Sequence, residues 1–151
     1  MARHPKQDPS KDEDLQSALK LHRAGDFRQA ISEYERILSQ TSRQAFVHNK
    51  LGLAYKSVRE FDTAIEHYER AIELNPDYAE AYSNLGNTLL KMGKIESALE
   101  FLESAVKLNR EFVPALIGLA NANASMGKLE TAIAHFESVV GLQADHVEAH
   151  F

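Results

Sequence analysis

The sequence predicts an all-α protein, a solenoid of antiparallel helix hairpins, and three observations predict it. Alanines recur at a fixed step of 34 residues, at Ala30, Ala64, Ala98 and Ala132. Each period divides into two apolar stripes with helical spacing; between Tyr82 and Val106 these are Tyr82, Leu85, Gly86 and Leu89, then Ile95, Ala98, Leu99, Leu102, Ala105 and Val106. The stripes are separated by a segment such as Met92-Gly93-Lys94, which is too short for anything but a tight turn between antiparallel helices. Further columns keep the same register without an insertion: Tyr34, Tyr68, Leu102 and Phe136; Ile37, Ala71, Ala105 and Val139; Ala18, Gly52, Gly86 and Ala120.

Taken in order, residues 1–10 read as a flexible polar tail containing Pro5 and Pro9, without the apolar run of a signal peptide. Four repeats follow, at about 11–44, 45–78, 79–112 and 113–146. Ser10 with Glu13, Thr41 with Gln44 and Asp77 with Glu80 have capping-box spacing at helix starts. Gly25, Gly93 and Gly127 share one turn position, where the second repeat has Arg59 instead. Small residues at 86 and 98 let paired helices approach closely. Asn75-Pro76-Asp77 closes one hairpin and opens the next, because proline cannot continue a helix interior. Residues 147–151 have the phase of a fifth repeat beginning, or of a truncated end. Asn123 falls at an inward position, where a buried amide needs hydrogen-bond partners.

These residues resemble the tetratricopeptide repeat family. Its pattern is a large residue, Leu-Gly, tyrosine, alanine, an aromatic, alanine and proline. The second repeat carries Leu51-Gly52, Tyr55, Ala64, Tyr68, Ala71 and Pro76, and the third carries Tyr82, Leu85-Gly86, Ala98, Leu102 and Ala105. The fourth departs, with Ala120 for the glycine, Asn123 for the tyrosine and Ala144 for the proline; the first has Asp14 where a large residue belongs. The resemblance covers residues 11–146 and implies a right-handed superhelical stack of eight helices, whose first helices line a concave groove for a protein or extended peptide.

By helical geometry, the groove positions include Leu15, Leu19, His22 and Arg23; Phe46, Asn49, Lys50, Leu53 and Lys56; Ser83, Asn84, Asn87, Leu90 and Lys91; and Ile117, Gly118 and Asn121. Lys50, Lys56, Asn84, Asn87, Lys91 and Asn121 are the candidate partner-binding residues. Across the groove positions Arg23, Lys50, Lys56 and Lys91 outnumber Asp12 and Glu80, giving net +2 in a chain of net −5. A groove more positive than its surroundings favours an acidic peptide. A cation near a helix C-terminus is also favoured by the dipole alone, which accounts for part of the pattern. Asn84, Asn87 and Asn121 resemble the asparagine-lined groove of O-linked N-acetylglucosamine transferase repeats, where amides grip a peptide backbone. Leu15 and Leu19 replace the polar residues that a two-carboxylate clamp requires. Val140, Leu142 and Phe151 are the candidates for self-association, giving a homo-oligomer through the C-terminal end.

The composition narrows the function classes. The chain has 151 residues, of which 44% are hydrophobic and 26% charged, a balance that supports a packed core. Its net charge of −5 argues against a general nucleic-acid binder, and no apolar run is long enough for a membrane span. There is no cysteine, so disulfides, thiolate metal sites and cysteine nucleophiles are excluded. The seven histidines show no ligand spacing beyond His146 and His150, which lack a third partner, and no glycine cluster forms a phosphate loop. The expectation is therefore a non-enzymatic, cofactor-free binding module, with the cytoplasm as default location. Two alternatives stand beside it. One is a recruitment arm of a larger enzyme: Leu21-His22-Arg23-Ala24-Gly25-Asp26 is similar to repeat segments that lead into bacterial glycosyltransferases or sulfotransferases. The other is a self-assembling scaffold.

Overall fold

A computed structural model describes residues 9–148. Among them are eight α-helices and no strand: α1 Pro9–Arg23, α2 Phe27–Leu38, α3 Gln44–Ser57, α4 Phe61–Leu74, α5 Ala79–Lys91, α6 Ile95–Leu108, α7 Val113–Ser125 and α8 Leu129–Glu148. They fall into two compact units, divided between Asn75 and Pro76. Each unit holds two antiparallel hairpins, α1–α2 with α3–α4 in unit 1 and α5–α6 with α7–α8 in unit 2, and within each unit neighbouring hairpins pack together.

The four turns inside the hairpins are built alike. The amide of Asp26, Glu60, Lys94 or Lys128 donates to the carbonyl of Leu21, Tyr55, Leu89 or Asn123, respectively, at 2.9–3.0 Å. This bond closes a Schellman-type cap and needs one residue with positive φ just before the donor. Gly25, Gly93 and Gly127 take that conformation, and Arg59 adopts it at φ 66° despite its side chain. The guanidinium of Arg59 lies 5.7 Å from the centre of the Phe61 ring, a contact that offsets part of the cost.

Close approach between paired helices depends on the small column. Gly52 faces the ring of the fully buried Tyr68, and Gly86 faces Leu102. A Cβ added at Gly52 would sit 2.6 Å from Tyr68 Cδ1, and one added at Gly86 would sit 2.6 Å from Leu102 Cγ. In unit 1 the core gathers Leu15, Ala18, Ala30, Ile31, Tyr34, Ile37, Val47, Leu51 and Ala54. In unit 2 it contains Ala81, Leu85, Ala98, Leu102, Ala105, Ala115, Leu119 and Ala122. Asn123 is buried as expected, and its Nδ2 donates to the Leu119 carbonyl at 2.8 Å, which gives the amide nitrogen a partner within its own helix.

The predicted capping boxes do not coincide with the N-caps of α3 and α5. Their N-caps are Arg43 and Tyr78, neither with a side-chain capping bond, and Thr41 Oγ1 instead accepts from the Arg43 amide at 3.1 Å. Both helices start later than the motif spacing implies. The ends of the second helices also differ. Asn75 and Asn109 turn extended after α4 and α6, and Asn109 Oδ1 accepts the Glu111 amide. Gln143 holds that register after Leu142 but forms no such stop, so α8 runs on to Glu148. Residues 147 and 148, read from phase as the start of a fifth repeat or a truncated end, lie in the last turn of α8; Gln143-Ala144 are good helix formers where the second repeat has Asn75-Pro76. Residues 1–8 and 149–151, including Phe151, lie outside the described residues.

Candidate functional site

In unit 1, the outward face of α3 combines cations with an aromatic ring. The Arg43 guanidinium lies 4.5 Å from the centre of the Phe46 ring, and Lys50 Nζ lies 5.3 Å from it. Phe46 and Lys50 are one turn apart, so the helix itself sets this arrangement. On α1, His22 Nδ1 is 3.1 Å from the Tyr34 hydroxyl, and burial followed by the Lys50 charge lowers the His22 pKa. Tyr34 is pushed up to about 12 by burial. Lys56 lies half-buried in the last turn of α3. The predicted basic residues Lys50 and Lys56 therefore share a helix, and a phenyl ring lies beside Lys50.

The unit 2 face is different. Asn87 Nδ2 lies 3.4 Å from both Ser83 Oγ and the Pro114 carbonyl, so its amide bridges α5 to α7. A Cβ at Gly118 would stand 2.5 Å from Asn87 Oδ1, so the bare glycine backbone is what admits this amide. Asn84 is half-buried, while Asn121 and Lys91 are exposed. The three asparagines thus occupy one side of α5 and α7, but Asn87 is engaged in joining the helices. Four positions assigned to the groove lie in the interior instead. Leu15 is 2% exposed, Asn49 and Ser83 are 0%, and Gly118 is also buried. In each unit the face turned toward the neighbouring helix is wider than helical geometry alone indicates.

The self-association candidates separate. Val140 is 64% exposed and belongs to a stripe with Leu129, Ile133, Phe136 and Val147, all exposed on α8. Leu142 lies off this stripe and is half-buried. The spacing of the stripe is legible in the sequence, as a run of steps of three, four and seven residues.

One cluster escaped the sequence reading. His48 on α3 and His67 on α4 meet with Nδ1 atoms 3.0 Å apart. Tyr55 stacks on His67, with ring centres 5.3 Å apart and planes 7° apart, and its hydroxyl donates to Glu35 Oε1 at 2.5 Å. Burial, the His67 ring and Arg70 push the His48 pKa down to about 4, and burial also lowers that of His67. The pair was visible only as register: the same two positions hold Tyr82 and Phe101 in the third repeat.

Comparison with known proteins places the repeats in a family. Residues 60–93 match a TPR repeat, and residues 79–112 and 113–146 each match the tetratricopeptide repeat. Together the matches span more than half of the chain. This is a tetratricopeptide-repeat protein. No curated protein matches it in sequence. Among solved structures, the crystal structure of MamA is 24% identical with a TM-score of 0.81, covering 91% of this chain and 81% of that one. MamA 41-end from Desulfovibrio magneticus RS-1 is 24% identical at a TM-score of 0.78, covering 95% and 80%. TTC0263, a thermophilic TPR protein in Thermus thermophilus, is 19% identical at 0.79, covering 89% and 75%. At these identities the likeness is one of fold, and the fold is the all-α tetratricopeptide solenoid. No helix among the described residues is long and apolar enough to cross a membrane.

Proposed function

We propose that this tetratricopeptide-repeat protein is a protein-interaction module that holds an acidic peptide segment on the α1–α3 face of unit 1. The observation that carries the reading is the Phe46 ring with Arg43 and Lys50 set against it. A partner side chain with a carboxylate next to an apolar group meets both a cation and an apolar surface there. Lys56, on the same helix, adds charge. In unit 2, taken by itself, Asn121 supports a separate, weaker backbone-directed contact, with Asn87 chiefly joining α5 to α7. The test is fluorescence anisotropy with acidic and charge-neutral peptides. Lys50→Glu should weaken acidic-peptide binding about tenfold, equivalent to ~1.4 kcal/mol, and added salt should do likewise. Binding indifferent to both changes would overturn the reading.

A second reading, self-assembly, is favoured by the α8 stripe. The equivalent face of α6 carries Leu102, which is fully buried and lies against Gly118 of α7, whereas its counterpart Phe136 is 40% exposed. Contiguous apolar surface of this kind marks an association site. Its expected signature is a light-scattering mass that climbs with concentration and returns to the monomer value in Val140→Glu. A constant mass over the accessible range would remove this second reading and leave the first untouched.

A further inference from the structure

We propose that His48 and His67 form a chelating site for a divalent transition-metal ion, with Cu2+ and Ni2+ favoured over Zn2+. The inference is separate from the peptide-binding reading and rests on the geometry between α3 and α4. Metal–imidazole bonds are about 2.0–2.1 Å long, so two ligands at a right angle stand about 2.9 Å apart and two at a tetrahedral angle about 3.3–3.4 Å. The Nδ1 atoms of His48 and His67 are 3.0 Å apart, close to the right-angle value. Tetragonal Cu2+ and octahedral Ni2+ offer that angle, while Zn2+ prefers the wider one.

The charges around the pair act in both directions, with Arg70 opposing a cation at His48 and carboxylates favouring one at His67. Only neutral imidazole binds a metal, and half-burial holds both rings in that form at neutral pH. Glu35 and Glu66 place negative charge around His67. Tyr55 fixes the ring from one side by stacking and is itself anchored on Glu35. Such supporting contacts orient a ligand before the ion arrives. In the ion-free pair, one Nδ1–H donates to the other Nδ1. Chelation needs both lone pairs, so the donating ring moves its proton to Nε2, with no net proton release. Among the described residues no group of three or more histidine, cysteine, aspartate or glutamate side chains could hold a metal, so water fills the other positions. The result is an exchangeable ion that clips α3 to α4.

The test uses the full chain. Calorimetric titration with NiCl2 and CuCl2 at pH 7.5 should show one ion per chain, accompanied by a rise in Tm. His48→Ala and His67→Ala should each weaken the site about tenfold or more and abolish the thermal shift, while His146→Ala leaves both unchanged. Zn2+ should bind more weakly. Because either alanine variant could loosen the hairpin, imidazole 15N spectra of the unaltered chain with Zn2+ provide a second readout, in which the Nδ1 signals of His48 and His67 move together. Saturation that survives both alanine variants, no binding at millimolar ion, or movement confined to other histidines would each overturn the proposal.

Discussion

Gly52→Ala is expected to destabilise unit 1 by about 1–3 kcal/mol, the usual cost of overpacking. The added methyl would lie 2.6 Å from Tyr68 Cδ1 and 2.9 Å from Cζ, far inside van der Waals contact. Tyr68 cannot swing aside, because it is fully buried against the rest of the hairpin. Relief therefore requires α3 and α4 to move apart, which loosens every contact between them. A unit of this size should lose roughly 4–8 °C in Tm per kcal/mol. Gly141→Ala supplies the contrast: no atom lies within 4 Å of its Cβ position, and mid-helix alanine is better than glycine by about 0.5–1 kcal/mol. Thermal or urea melts of the two variants should shift in opposite directions. Equal shifts would mean that the Gly52–Tyr68 contact does not set the spacing between the helices.

The second large effect is acid lability of unit 1. His48 is held down at about 4 and His67 is also lowered, against an ordinary value of 6.5. Between those values the unfolded chain binds more protons than the folded one, so stability is full above pH 6.5 and is lost as pH falls toward 4. The charged neighbours act in both directions: Arg70 disfavours protonation of His48, while Glu35 and Glu66 favour it at His67. Because the rings are only half-buried, solvent screening reduces the loss to about 1–2 kcal/mol. Melts at pH 7.5 and pH 5, with a chelator present, should show this loss. The double variant His48→Tyr/His67→Phe, which copies the third repeat, should flatten it. An unchanged slope in that variant would place the acid sensitivity elsewhere.

What the sequence made legible follows from what has a period. The small column at Gly52 and Gly86, the turn column at Gly25, Gly93 and Gly127, and the buried Ala64, Tyr68 and Ala71 repeat every 34 residues and appear where expected. Properties that depend on one side chain meeting another across two helices were harder to see. His48 and His67 are 19 positions apart and face each other only because α3 and α4 are antiparallel. Asn87 reads as an outward amide, yet the bare backbone at Gly118 draws it into the α5–α7 contact. Asn49, Ser83 and Leu15 were placed outward by the helical wheel, which counts one packing face, whereas α3 and α5 each pack against two neighbours and Leu15 joins the unit 1 core. Lys50 and Lys56 are half-buried on α3, where a long aliphatic stem covers apolar atoms.

The exposed face of α8 also bears on how unit 2 comes apart. In a repeat array each element is held mainly by its immediate neighbours. Helix α6 lies between α5 and α7, whereas α8 has α7 on one side and Leu129, Ile133, Phe136 and Val140 open to solvent on the other. Its detachment therefore sacrifices one seam rather than two. Amides along α8 are expected to exchange with solvent through partial opening at an energy below that of the whole unit, and those of α6 through collective unfolding. Among the described residues α8 is therefore the helix expected to open first, and whatever occupies its exposed stripe would act as a latch.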